Sequence, residues 1–166
     1  MRRATLINKE SEKELVKNGF ILLKNFLSAE DVGDLIQLYK QYHLIPSNES
    51  GMWNRLYDPG FENGLTISKQ ILQIVKPKLD LIFESYYSPV ATFMSKNPNK
   101  NSTCDLHRDF STADEDLFEY RNIWIPLVPT NKENGALYVM RGSNNIFNHE
   151  LPMFSEWPYK FMQEKL

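Results

Sequence analysis

The sequence predicts an α+β fold in which helices come first and an antiparallel sheet follows. Three observations carry that prediction. Apolar residues recur at helical spacing through the first 87 residues. From residue 88 the repeat shortens to two, and turn residues punctuate it. Nine prolines, seven glycines and ten phenylalanines in 166 residues suit sheet and loop better than a helical bundle. A chain of this length is expected to form one domain, with residues 1–87 as its helical part and 88–166 as its β part.

Each element has its own signal. Residues 9–18 read as a short helix closed by Gly19, a residue suited to the left-handed cap. Phe20-Ile21-Leu22-Leu23 is a compact apolar run, expected as a buried strand. Ser28-Ala29-Glu30-Asp31 has the form of a capping box, with Ser28 accepting amide hydrogens and Asp31 favoured by the helix dipole. Val32, Leu35, Ile36 and Tyr39 then recur at helical spacing. Residues 47–64 are polar and broken by Gly and Pro, so a loop is expected there. Ile67, Ile71, Leu72, Val75 and Leu79 mark a third helix, which Pro77 should kink or split. Beyond it, strands are expected at 89–96, 105–110, 120–128 and 136–140, with a tight turn at Asn134-Gly135. Helices should pack on one side of that sheet.

Composition narrows the function classes. At 42% hydrophobic and 13% aromatic, the chain can fill a core and is not a disordered protein. The net charge is -2 and no basic block occurs, which argues against nucleic acid and anionic membranes as partners. Cys104 stands alone, so an intramolecular disulfide is impossible and a reducing, cytoplasmic setting is expected. The N-terminus turns polar at Asn8, leaving no room for a signal peptide, and no apolar run is long enough to span a bilayer.

The chemistry-bearing candidate is His107-Arg108-Asp109. Residues two apart in a strand share a face, so His107 and Asp109 should project together while Arg108 points away. By the same parity Cys104 falls on the opposite face from His107 and reads as a small hydrophobe. An imidazole and a carboxylate aimed at one point can supply two corners of an octahedral metal site, and one more histidine would complete a 2-His-1-carboxylate set. Taken alone, the triplet is equally well a surface pair on an edge strand.

Four segments in order give that triplet a context. They are the stretch from Gly19-Phe20 to Phe26-Leu27-Ser28, then Leu106-His107-Arg108-Asp109-Phe110, Trp124-Ile125-Pro126-Leu127, and the stretch from Asn134-Gly135 to Gly142-Ser143-Asn144. In these segments the chain resembles the phytanoyl-CoA dioxygenase-like family of Fe(II)/2-oxoglutarate-dependent oxygenases. The resemblance implies a mainly β core, a double-stranded β-helix or jelly roll, with the N-terminal helices packed on its major sheet. It also implies Fe(II) and 2-oxoglutarate as cofactors, with dioxygen and a small-molecule substrate as partners. Oxidative decarboxylation of the keto acid would be coupled to hydroxylation of that substrate. His107 and Asp109 would ligate iron. Thr92, Arg55 and Trp124 are candidates for contact with 2-oxoglutarate, weighed against core packing for Thr92 and Trp124 and a solvated loop charge for Arg55.

Two departures qualify the resemblance. Arg141 and Asn144 replace the family's proline and histidine around Gly142-Ser143, positions that do not usually ligate iron. The family's second iron-binding histidine and its keto-acid-anchoring base lie on later strands. Here His149 is the only histidine after Asp109; like His43, it reads as an exposed or structural residue rather than the third ligand. The expectation is therefore a β-helix left incomplete in this chain, either a fragment or one whose open edge a partner or second copy covers. The alternative function is a non-catalytic small-molecule-binding or structural module with a degenerate metal site, its sheet completed by a partner chain.

Overall fold

The structure, a computed structural model, describes residues 4–42, 52–54, 61–96, 102, 104–109, 111 and 113–145. Internal contacts group them into two units. One is drawn from Leu22–Thr103 and Pro126–Leu137, the other from Met1–Ile21, Cys104–Ile125 and Tyr138–Leu166.

The first of these units is built on two helices. Helix α2 spans Ala29–Gln41, after α1 (Lys9–Asn18) of the other unit, and α3 spans Phe61–Leu79. The expected capping box starts α2: Ser28 Oγ accepts from the Asp31 amide at 3.1 Å, and Asp31 Oδ2 accepts from the Ser28 amide at 2.8 Å. Both helices bury one stripe against each other. On α2 the fully buried residues are Leu35 and Leu38, while Val32, Ile36 and Tyr39 are half-buried. On α3 the stripe is Ile67, Ile71, Val75 and Leu79, four apart throughout. Lys78 of α3 reaches Asp31 of α2 at 3.2 Å, and Tyr42 donates to Gln70 at 3.0 Å. Ser68, only 2% exposed, is the polar member of the stripe, and its Oγ accepts from the Ala91 amide at 2.8 Å.

Two expectations are corrected in this unit. Helix α3 begins at Phe61, inside the stretch read as loop, and it runs through Pro77 without a break. Pro77 lacks the amide that would bond to the Gln73 carbonyl, yet helical bonding resumes beyond it, with the Asp80 amide donating to the Lys76 carbonyl at 2.9 Å. The loop reading also missed a short ribbon. Strand β1 (Met52–Asn54) pairs antiparallel with β2 (Met94–Lys96), with Trp53 opposite Ser95. The chain turns at Asn134-Gly135 as expected, but in a wider turn that closes from Asn131 to Ala136 rather than in a tight hairpin turn. Asn131 Oδ1 accepts from the Glu133 and Asn134 amides, the Ala136 amide closes onto the Asn131 carbonyl at 2.9 Å, and Gly135 sits at φ 91°. A side chain at Gly135 would also strike Lys96.

In the second unit, α1 has the expected bounds. Gly19 closes it at φ 82°, donating to the Leu15 carbonyl at 2.8 Å. Its start lies with Asn8, whose Oδ1 accepts from the Glu10 and Ser11 amides at 3.0 and 2.9 Å. A 3₁₀ turn, η1 (Ser143–Asn145), docks on the end of α1. Asn144 and Asn145 donate to the Val16 and Lys17 carbonyls, and the Gly142 amide donates to Asn18 at 2.7 Å. These bonds satisfy carbonyls that a helix end leaves open.

The run Phe20-Ile21-Leu22-Leu23 is not a buried strand: Leu22 is 76% exposed, and the run has no ladder partner among the described residues. Residues 105–109, 120–128 and 136–140 likewise carry no ladder pairing among the described residues, and only 94–96 of the strand expected at 89–96 is paired. A strand exists only through a partner, which its own residues do not specify. No helix among the described residues is long and apolar enough to cross a membrane.

Candidate metal centre

The site segment begins at Cys104 and bends at Leu106, so the alternation of an extended strand does not hold across it. That bend corrects the reading of Cys104, whose Sγ lies 3.4 Å from His107 Nδ1 rather than on the opposite face. Beyond the bend, His107 and Asp109 turn to a common point, with Nε2 of the imidazole 3.3 Å from Oδ1 of the carboxylate. His107 is half-buried and Asp109 is exposed. Arg108, between them, leaves in another direction and pairs with Glu115.

The hydrogen bonds around the pair define what it can hold. His107 Nδ1 lies 2.7 Å from the Asp105 carbonyl oxygen. A carbonyl can only accept, so Nδ1 carries the proton of that bond, and in the neutral ring Nε2 presents its lone pair. Asn122 donates through Nδ2 to Oδ2 of Asp109. Nε2 and Oδ1 are thereby left facing each other at 3.3 Å, close enough to share a cation.

Dimensions agree with that assignment. With metal–ligand bonds of ~2.1 Å, adjacent corners of an octahedron lie ~3.0 Å apart. The observed 3.3 Å is within reach of that spacing. A backbone carbonyl on the distal imidazole nitrogen is the usual outer support of a histidine ligand. The two residues therefore fit two adjacent corners of a divalent-metal site. Among the described residues, no group of three His, Cys, Asp or Glu side chains is disposed to complete it.

Surrounding groups set the local field. Tyr120 has its phenol pushed up from the ordinary value, by burial first and then by the carboxylates of Asp109 and Glu115. Arg121 donates to Glu119 at 2.9 Å and to the Tyr120 carbonyl at 2.9 Å, and its Nε is buried with no hydrogen-bond partner among the described residues. Glu12 of α1 is also charged in this unit. Desolvation pushes its pKa up, but bonds from the Thr5 and Leu6 amides and the Thr5 hydroxyl, with Arg121 nearby, outweigh it and leave the pKa lowered.

Of the other candidates, Trp124 lies two residues past Asn122 and is 46% exposed. Thr92 belongs to the other unit, is half-buried, and donates to the Phe93 carbonyl at 3.3 Å. Arg55, His43 and His149 lie outside the described residues. Asn122 and Tyr120 were not among the sequence candidates. The one sequence hint for Asn122 is that it and Arg121 are the charged or amide residues at the head of the otherwise apolar 120–128 segment.

A model of the family described as Phytanoyl-CoA dioxygenase (PhyH) matches residues 15–165. Searches of curated proteins and of solved structures return no match.

Proposed function

The chain belongs to the phytanoyl-CoA dioxygenase family, and on that premise we propose that it is an Fe(II)/2-oxoglutarate-dependent dioxygenase acting on a small molecule, with His107 and Asp109 as two of its iron ligands. Family membership supports the reaction class and the cofactors. It likewise supports a double-stranded β-helix as the scaffold. The observation that carries the residue assignment is the approach of His107 Nε2 to Asp109 Oδ1 at 3.3 Å, with each side chain held on its far side by another group.

With iron bound, 2-oxoglutarate and dioxygen supply oxidative decarboxylation coupled to hydroxylation of the substrate. The protein's share is to bind and orient. His107 offers Nε2 while the Asp105 carbonyl fixes its ring. Asp109 offers Oδ1. Arg108 is turned away onto Glu115, so its guanidinium does not compete with a cation for Asp109. The lone Cys104 supports a cytoplasmic setting, where no disulfide is required.

Anaerobic titration of the metal-free protein with Fe(II), followed by 2-oxoglutarate, tests the proposal. Saturable Fe(II) binding is expected, followed by a visible charge-transfer band when the keto acid chelates the metal. Absence of both overturns the assignment of this chain as a dioxygenase.

A further inference from the structure

We propose that Asn122 is a positioning residue for the metal centre: its side-chain amide holds Oδ2 of Asp109, so that the carboxylate offers the single oxygen Oδ1 to a divalent cation beside His107 Nε2. The proposal rests on the reading of His107 and Asp109 as metal ligands.

A carboxylate beside a cation can bind through one oxygen or both, and the second mode consumes a corner that a bidentate keto acid needs. Asp109 is exposed, so packing alone does not fix its terminal torsion. What restrains it is a donor thirteen residues away in the chain, Nδ2 of Asn122 on Oδ2. That bond occupies one oxygen and leaves the other turned toward the imidazole at 3.3 Å.

The chemical type of the donor matters as much as its place. An amide donates without a charge, so it steers the carboxylate while leaving its negative charge for a cation. Two guanidiniums are close in sequence, Arg108 between the two ligands and Arg121 beside Asn122, and each is engaged by a glutamate, Arg108 by Glu115 and Arg121 by Glu119. A cation at position 122 would instead neutralise Asp109 and compete with the metal. Asn122 therefore supports Asp109 much as the Asp105 carbonyl supports His107, and both ligands are oriented before any metal arrives.

The test uses Mn(II) as the probe, followed by electron paramagnetic resonance on the metal-free full chain. Asn122→Leu and Asn122→Asp should each weaken Mn(II) binding by about tenfold, the lower end of the usual effect of removing an outer support. Asn122→Gln, which keeps a neutral amide donor, should recover most of that loss and the wild-type line shape. In the metal-free protein, the Asn122 side-chain amide resonances should move on Asp109→Ser. Unchanged Mn(II) affinity in both Asn122→Leu and Asn122→Asp, or amide resonances indifferent to Asp109→Ser, overturns the positioning role while leaving the metal ligands standing. A wild-type chain that binds no Mn(II) and no Fe(II) overturns the ligand assignment itself, and the role of Asn122 with it.

Discussion

Helices α2 and α3 hold each other through a dry stripe, whereas the described residues between Cys104 and Asn122 are held by a web of polar bonds near the surface. In the first region Leu35, Leu38, Ile67, Ile71, Val75 and Leu79 leave almost no surface to solvent. In the second, Asp109 is exposed, His107 and Arg108 are half-buried, and most of the fixed geometry comes from side chains bonded to carbonyls, amides or other side chains. Burial of apolar area stabilises a fold and is indifferent to chemistry. Exposed polar bonds contribute little stability but aim donors and acceptors. The two regions divide these tasks between them.

The sharpest way to break that division is in the stripe. Ile67→Ala removes a side chain that is 2% exposed and should cost about 2–5 kcal/mol in urea unfolding, because the cavity it leaves adds to the lost burial. A cost near zero would mean that the α2–α3 contact is not the stabilising core of its unit. Ser68→Ala at the same interface is expected next in size. It leaves the Ala91 amide without its partner and should cost about 1–3 kcal/mol.

Smaller again is the capping box. Ser28→Ala should lower stability by about 1 kcal/mol. The effect has a pH signature, because Asp31 has its pKa lowered from the ordinary 3.8 by the Ser28 side chain first, then by the Ser28 amide, and further by Lys78. A carboxylate whose folded pKa is depressed contributes stability that is fully present above its unfolded pKa and is lost as pH falls through the folded one. The gap between wild type and Ser28→Ala should thus be constant at neutral pH and narrow below pH 3.8. A gap that widens in acid would contradict this account of the cap.

These same contrasts explain what was legible in the sequence. Helix α1 could be bounded because Gly19 writes its stop locally, and α2 because Ser28 and Asp31 write its start. The Asn134-Gly135 turn was readable for the same reason. Pro77 misled because a helix can absorb one missing amide bond when the bonds beyond it re-form, which only the structure shows. The ribbon of β1 and β2 joins residues some forty apart, and nothing within either triplet names the other. At the site, His107 and Asp109 could be paired by spacing, but Asn122 and the close approach of Cys104 depend on a bend and a long-range contact. Local signals were legible, and the partners of extended segments were not.

The last comparison reverses the readout. Asp109→Ala and His107→Ala should change the stability of the metal-free chain by no more than about 1 kcal/mol, since neither removes a large apolar side chain from the core. The partly exposed contact they share is worth at most about 1 kcal/mol. Their effect should surface only with metal present. A ligand that binds the folded chain stabilises it by about 2.7 kcal/mol at a hundred times its dissociation constant. Wild type should therefore gain several degrees in thermal unfolding on anaerobic addition of Fe(II), and each variant should gain almost nothing. A residue of the stripe should behave in the opposite way: Ile67→Ala should lose stability without metal yet keep the Fe(II)-dependent gain so long as it stays folded. If Asp109→Ala instead unfolds the metal-free chain, the polar web around His107 is part of the core. Stability and chemistry would then reside in the same residues rather than in separate regions.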